Sequence, residues 1–213
     1  QIAVVEPGLV NLHLSWAVGP QGYYYAPDPS SQQACTIGGN IANNSGGPHT
    51  LKYGVTTNHV LGLEVVLPDG ELMWIGGKTR DAQGYDLVGL FVGSEGTLGV
   101  ITEITLRAYA VPEHTVAARA VFPDVDAACQ AASVAIASGI VFNRCELMDA
   151  FSISAVNGHF GTSFAEAPSL FVEGGPTPLE LQPDAGDLTA VVSGFFAPIA
   201  GLPPPAGAPT VRP

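Results

Sequence analysis

The sequence predicts an α+β fold, and three observations predict it. Two apolar, β-capable runs, Leu61–Leu67 and Leu72–Ile75, flank Pro68-Asp69-Gly70, and this is the chemistry of a hairpin. Leu98–Leu106 alternates through Val100, Thr102, Ile104 and Leu106, the period of a half-buried strand. An Ala-rich run from Val125 to Ser138 stands between two further strand patterns and reads as a helix, with Asp124 as its N-cap and Gly139 as its stop.

The remaining elements follow in order. Ile2–Val5 reads as a short strand ended by Pro7-Gly8, and Leu9–Val18 has the apolar spacing of a short helix. Pro20 to Pro29 is a loop carrying Tyr23-Tyr24-Tyr25, and Gln33 to Pro48 is a Gly-, Asn- and small-residue-rich segment with no regular element assigned. Asp86–Phe91 is a short helix. After Pro112 the pattern becomes strand Thr115–Phe122, the Ala-rich helix, strand Arg144–Asp149 and helix Ala150–Asn157, the start of a βαβ-type domain. From Phe171 the texture changes again: nine of the 18 prolines lie between Pro176 and Pro213, and no Lys or Arg occurs between Arg144 and Arg212. Proline cannot donate to a helix or a central strand, so residues 171–213 are expected to form a disordered or loosely docked tail.

Composition narrows the function classes. The 213 residues carry 19 acidic against 7 basic side chains, a formal charge of −12, with 46% hydrophobic residues. That much apolar content supports a packed core. The acid excess argues against nucleic acid and against an anionic membrane surface, both of which need clustered Lys and Arg. The longest apolar run, Leu188–Leu202, is broken by Gly194, Pro198 and Gly201 and is shorter than a membrane span, so no transmembrane segment is expected. The chain opens on Gln1 with no basic n-region, which suggests no signal peptide and a trimmed or partial chain. Cys35, Cys129 and Cys145 are odd in number and unpatterned, as expected of free thiols in a reducing, cytoplasmic setting.

Two glycine-rich constellations carry the chemistry. The first runs through Pro27-Asp28-Pro29-Ser30-Ser31, Thr36-Ile37-Gly38-Gly39-Asn40, Asn43-Asn44-Ser45-Gly46-Gly47 and Tyr53-Gly54. Its glycine pairs leave main-chain N–H groups uncovered, and Thr, Asn and Ser add neutral donors, which suits an anionic ligand such as a diphosphate in an acidic protein. The second is Gly93-Ser94-Glu95-Gly96-Thr97-Leu98-Gly99-Val100-Ile101-Thr102-Glu103, whose glycines run into a strand. This reverses the Rossmann order, in which the glycines precede a helix. Other matches fail. Gly76-Gly77-Lys78-Thr79 lacks the first P-loop glycine, where Leu72 stands, and Gly93-Ser94-Glu95-Gly96 lacks the spacing of a nucleophile elbow. His13, His49, His59, His114 and His159 show no ligand spacing, so no metal is expected and each reads as a surface or hydrogen-bonded histidine. The Tyr triplet could stack on a planar ring, and a loop anchoring the core is the simpler reading.

With these motifs in view, the sequence resembles the FAD-dependent oxidoreductases with a PCMH-type (vanillyl-alcohol oxidase-like) FAD domain. The resemblance is nearest to the branch of glycolate oxidase FAD-binding subunits and D-lactate and D-2-hydroxyglutarate dehydrogenases. It rests on P-D-P-S-S, C-T-I-G-G-N-I-A-N-N-S-G-G, K-Y-G, V-L-G-L-E-V-V-L-P-D-G, G-Y-D-L and G-S-E-G-T-L-G-V-I-T-E, and it covers Gln1 to Pro168. It implies that residues 1–111 are the C-terminal part of a PCMH-type FAD-binding domain and residues 112–170 the start of an α+β cap domain. It further implies that Pro27 and Asp28 lie beside the flavin or its ribityl chain, and that Thr36, Gly38, Gly39 and Asn40 meet the pyrophosphate. Asn43, Ser45 and Gly46 would continue that shell, Tyr53 and Gly54 would close it, and Glu95, Gly96, Gly99, Val100 and Ile101 would hold the adenosine end. The family's upstream P-x-G-x-G loop and its later H-x-G-D-G-N-x-H motif are not in this sequence, so no catalytic base is assigned.

The function so implied is oxidation of a 2-hydroxy acid, glycolate or D-lactate in type, by hydride transfer to FAD, with partner subunits of a glycolate oxidase-like complex. The alternative is a catalytically incomplete flavin-binding module that needs such partners. A UDP-sugar reductase fits the G-S-E-G-T-L-G form less well.

Overall fold

The computed structural model describes residues 1–79 and 84–174. They form two compact units, one of Gln1–Val111 and one beginning at Pro112.

The first unit is built on a four-stranded antiparallel sheet. Its strands are β1 (Ile2–Val5), β3 (Val60–Val66), β4 (Leu72–Gly76) and β5 (Val100–Arg107), in the order β1-β5-β3-β4. The predicted hairpin is β3–β4, with Val66 opposite Leu72. Its turn is closed by Gly70 N–H donating to Leu67 O (2.9 Å) and by Asp69 Oδ1 accepting from Glu71 N–H (3.0 Å). Side-chain alternation places Ala3, Val5, Leu63, Val65, Ile75, Ile104 and Leu106 on one face. Leu14 of α1 (Asn11–Val18), Ile37 and Ile41 of α2 (Ile37–Asn43) and Phe91 of α4 (Leu87–Phe91) join them in one core cluster. Each buried Val, Leu, Ile or Phe side chain among them contributes about 1.5–3 kcal/mol through burial.

Helix α2 departs from expectation, because it forms inside the segment given no regular element. Gly38, Gly39 and Asn40 are weak helix formers, and partners distant in sequence supply what propensity lacks. The expected loop around the Tyr triplet also holds a short strand, β2 (Tyr23–Tyr24), paired antiparallel with β6 (Tyr109–Ala110). Single turns of helix, α3 (Thr50–Tyr53) and the 3-10 segments Gly19–Gln21 and Thr56–Asn58, complete the unit.

The second unit runs β7 (Val116–Val121), α5 (Val125–Ala137), β8 (Phe142–Met148), α6 (Ala150–Phe160) and β9 (Ser169–Gly174). Asp124 caps α5 by accepting from Ala127 N–H (2.7 Å), and Asp149 caps α6 through Ser152 N–H (2.7 Å). The Ser152 hydrogen bonds hold the Asp149 carboxyl below its ordinary pKa. Strand order is β7-β9-β8 and both pairings are antiparallel, so β7 and β8 run parallel with β9 between them. This is a split βαβ arrangement.

Strand β9 corrects the expected tail boundary, since residues 171–174 lie inside the central strand. Ser169, Leu170 and Glu173 are buried there, and the proline-rich composition begins only after it. The remainder of the expected tail lies outside the described residues. Glu173 accepts from Arg144 Nη2 (2.9 Å) and from Asn143 Nδ2 (3.2 Å), an ion pair buried within this unit. Arg119 donates to Ser169 Oγ and to Ala165 O, between the rings of Phe164 and Phe171.

Leu63→Ala is expected to lower the unfolding free energy by about 2–5 kcal/mol, because Leu63 is fully buried. Leu72→Ala, on a side chain 55% exposed, is expected to change it by less than about 0.5 kcal/mol. Urea unfolding followed by circular dichroism checks both.

Candidate cofactor site

The site is built around α2. Thr36 caps the helix, its Oγ1 accepting from Gly39 N–H (3.2 Å). Gly38 N–H donates to Pro7 O (2.8 Å) and Ile37 N–H to Leu9 O (2.8 Å), which ties the first turn of α2 to the β1–α1 connection. A Cβ on Gly38 would stand 2.6 Å from Pro7 Cβ, so this glycine is required by packing. Asn40 is buried, and its Nδ2 donates to Asn11 Oδ1 (2.9 Å) while Asn11 Nδ2 donates to Pro27 O (3.0 Å). The family resemblance implies that Asn40 meets the pyrophosphate; its side chain takes part in a buried relay linking α2, α1 and the Pro27 loop.

The other end of α2 joins the two constellations. Gly93 N–H donates to Ile41 O (2.8 Å) and Glu95 N–H to Ala42 O (3.0 Å), so the second glycine-rich loop closes the C-terminal carbonyls of the helix. Asn44 (φ 50°) ends the helix in the left-handed region, and its Oδ1 accepts from Thr57 N–H (2.9 Å). Glu95 (φ 52°) and Gly96 (φ 76°) share that backbone region in the facing loop.

The Pro27-Asp28-Pro29 segment is fastened on its other side by the loop after α2. Asp28 Oδ2 lies 2.6 Å from His49 Nδ1, and Asp28 Oδ1 accepts from His49 N–H (3.2 Å). A Cβ on Gly47 would stand 2.5 Å from the Asp28 carbonyl carbon, its oxygen and Oδ1. Beside this lies a ring cluster. Tyr53 and Tyr109 are 5.1 Å apart, His59 is 5.5 Å from Tyr109, and Tyr25 is 6.0 Å from His59. Lys52 covers Tyr53 and Arg107 covers Tyr109. Tyr25 is buried, in keeping with a loop that anchors the core. Burial raises its phenol pKa well above the ordinary value, Cys35 and Tyr109 add to the rise, and Thr56 opposes it.

The expected site residues therefore divide. Thr36, Gly39, Asn43, Ser45, Gly46, Glu95 and Gly96 cluster around the two ends of α2. Pro27 and Asp28 reach it through Asn11 and His49, while Tyr53 and Gly54 lie at the ring cluster. Gly99, Val100 and Ile101 lead into β5, with Val100 65% exposed and Gly99 against Val66 O. The expectation that glycine amides stand uncovered needs amending, because those of Gly38, Gly39 and Gly47 have protein acceptors. The amides of Gly46 and Gly96 carry no hydrogen bond among the described residues. Sequence reasoning missed Asn11, Gly47 and His49 as supports. Position within the N-N-S-G-G-P-H run was the available signal for His49, but its partner stands 21 residues earlier.

Residues 1–76 match the family model described as FAD binding domain, and residues 111–197 match that of the FAD linked oxidases, C-terminal domain. This chain belongs to the FAD-linked oxidases. The second match runs past the expected limit of the family resemblance at Pro168. The chain is 48% identical over 153 residues to the glycolate oxidase subunit GlcD of Escherichia coli K12, across 72% of this chain and 31% of that protein. It is 41% identical over 171 residues to the mitochondrial D-lactate dehydrogenase [cytochrome] of Arabidopsis thaliana, across 80% of this chain and 30% of the relative. It thus spans about a third of the length of the curated relatives it matches. Among solved structures, alkyldihydroxyacetonephosphate synthase shares the fold, with a TM-score of 0.68 at 24% identity over 82% of this chain and 34% of that one.

FAD is the cofactor of this family, and the donor set fits it. Thr36, Asn43 and Ser45 are neutral, and the main-chain N–H groups of Gly46 and Gly96 have no protein acceptor among the described residues, the kind of donor a dinucleotide can use. Among the described residues no three His, Cys, Asp or Glu side chains gather as metal ligands. No helix among them is long and apolar enough to cross a membrane.

Gly47→Ala is expected to destabilise the chain by about 1–3 kcal/mol through collision with Asp28. Gly8→Ala, where a Cβ meets nothing within 4 Å, is expected to stay within about 0.5 kcal/mol, and thermal melting compares the two. Because the folded-state pKa of Tyr25 is raised, stability is retained below the unfolded value of about 10 and falls as pH rises from there toward the folded value. An alkaline absorbance titration should leave one tyrosine un-ionised until the chain unfolds.

Proposed function

We propose that this chain forms part of an FAD-dependent oxidoreductase acting on a small 2-hydroxy acid of the glycolate or D-lactate type. The observation that carries the reading is the docking of the Gly93–Gly96 loop on the C-terminal carbonyls of α2, which brings the two glycine-rich constellations together at one end of that helix. The names and identities of the relatives supply the substrate class.

Bound FAD would accept hydride from the α-carbon of the substrate. In this reading Thr36, Gly38, Gly39, Asn43, Ser45 and Gly46 set the pyrophosphate region, with Asn40 acting through Asn11. Pro27 and Asp28 set the approach to the flavin, and Tyr53 and Gly54 close the shell. Glu95, Gly96, Gly99, Val100 and Ile101 hold the adenosine end. The chain's contribution is binding and orientation, and no proton acceptor is assigned among its residues. Residues 112–170, continuing through β9, would begin the cap over the substrate. Free Cys35, Cys129 and Cys145 support a reducing, cytoplasmic setting.

One observation favours a second reading. The relative from Escherichia coli K12 is named a subunit, which favours a flavin-binding module completed by partner subunits. Purified chain titrated with FAD distinguishes the two. Bound flavin absorbance with dye reduction by glycolate or D-lactate supports the oxidoreductase, and bound flavin without turnover supports the module. A colourless chain that FAD does not stabilise against heat overturns both. Gly96→Val should raise the Kd for FAD by tenfold or more, because a β-branched residue at φ 76° strains the loop that carries the free amide.

A further inference from the structure

Asp28 and His49 form a pair that the expected roles do not explain. The Pro27-Asp28-Pro29 segment is held on one side by the Asn40–Asn11–Pro27 relay. On its other side both carboxylate oxygens of Asp28 engage His49, one at the ring (2.6 Å) and one at the main chain (3.2 Å). A carboxylate only accepts, so the short ring contact places a proton on Nδ1 and fixes the orientation of the imidazole. The side chains are 18% and 23% exposed, enough burial to strengthen a charge-assisted hydrogen bond over one in open water. The loop that carries His49 is coupled to α2 by Ser45 N–H donating to Asn40 O (2.9 Å), and it is held internally by Gly47 N–H donating to Thr50 Oγ1 (2.8 Å). Gly47 lets the Asp28 main chain approach where a Cβ would collide.

We propose that Asp28 and His49 are a positioning pair that clasps the 27–29 segment to the 45–50 loop and so holds the cofactor surface in register before FAD arrives. This rests on the FAD reading above. Neither residue acts as a catalytic residue in it: the carboxylate of Asp28 faces His49, and the effect on FAD is exerted through the spacing of the two loops.

Asp28→Asn and His49→Gln in the full chain test the clasp. Amide hydrogen exchange without FAD should be at least tenfold faster at residues 49–52 in both variants, while the melting temperature stays within a few degrees of wild type. FAD titration should show Kd raised about tenfold or more. Unchanged exchange at residues 49–52 overturns the clasp, and faster exchange with unchanged Kd overturns its role toward FAD. A wild-type chain that binds no FAD overturns the reading beneath the proposal. That failure is distinguishable, because the exchange measurement contains no FAD and still decides the clasp.

Discussion

Helix α2 is held from outside, and the candidate site depends on that constraint. Seven residues that include two glycines and two asparagines do not stabilise a helix by propensity. The helix exists because Pro7 and Leu9 accept from its first turn, Thr36 caps it, Asn11 accepts from Asn40, and Gly93 and Glu95 donate to its last carbonyls. Ile37 and Ile41 add fully buried side chains on the core face. The β1–α1 connection, α1 and the Gly93–Gly96 loop thus meet at one short helix.

Much of the framework was legible because its signals are local. The β3–β4 hairpin follows from Pro68-Asp69-Gly70 between apolar runs, β5 follows from alternation, and α5 follows from Asp124, an Ala-rich run and Gly139. Helix α2 was illegible for the converse reason, since the partners that hold it from outside, the Thr36 cap apart, lie 28 to 53 residues away in sequence. Strand β9 was obscured by the proline-rich composition that follows it, although Leu170-Phe171-Val172 is itself a strand-forming run. The glycine-rich constellations were legible as runs. Their meeting through Ile41 O and Ala42 O was not, and neither was the pairing of Asp28 with His49, because single hydrogen bonds between distant residues leave no periodic trace.

The acidic character of the chain is compatible with the proposed dinucleotide site because Thr36, Asn43, Ser45 and the Gly46 amide, the groups proposed for the pyrophosphate, are neutral. The two cations nearest the ring cluster, Lys52 and Arg107, lie over Tyr53 and Tyr109. Main-chain dipoles and hydroxyl or amide groups complement a diphosphate without adding a positive field. They also do so at fixed geometry, with little side-chain entropy to lose on binding.

The position of β9 has a consequence for how the second unit forms. Among the described residues its sheet has the last strand in the middle, so β7 and β8 have no direct partner in each other. Val121 must wait for Ser169, and Val116 for Gly174, before a ladder hydrogen bond can close. During synthesis this unit therefore emerges as two helices and two unpaired strands, and the sheet is assembled in one late event. The high sequence separation of its contacts makes that event slow relative to helix formation, and the strands present open edges until it occurs.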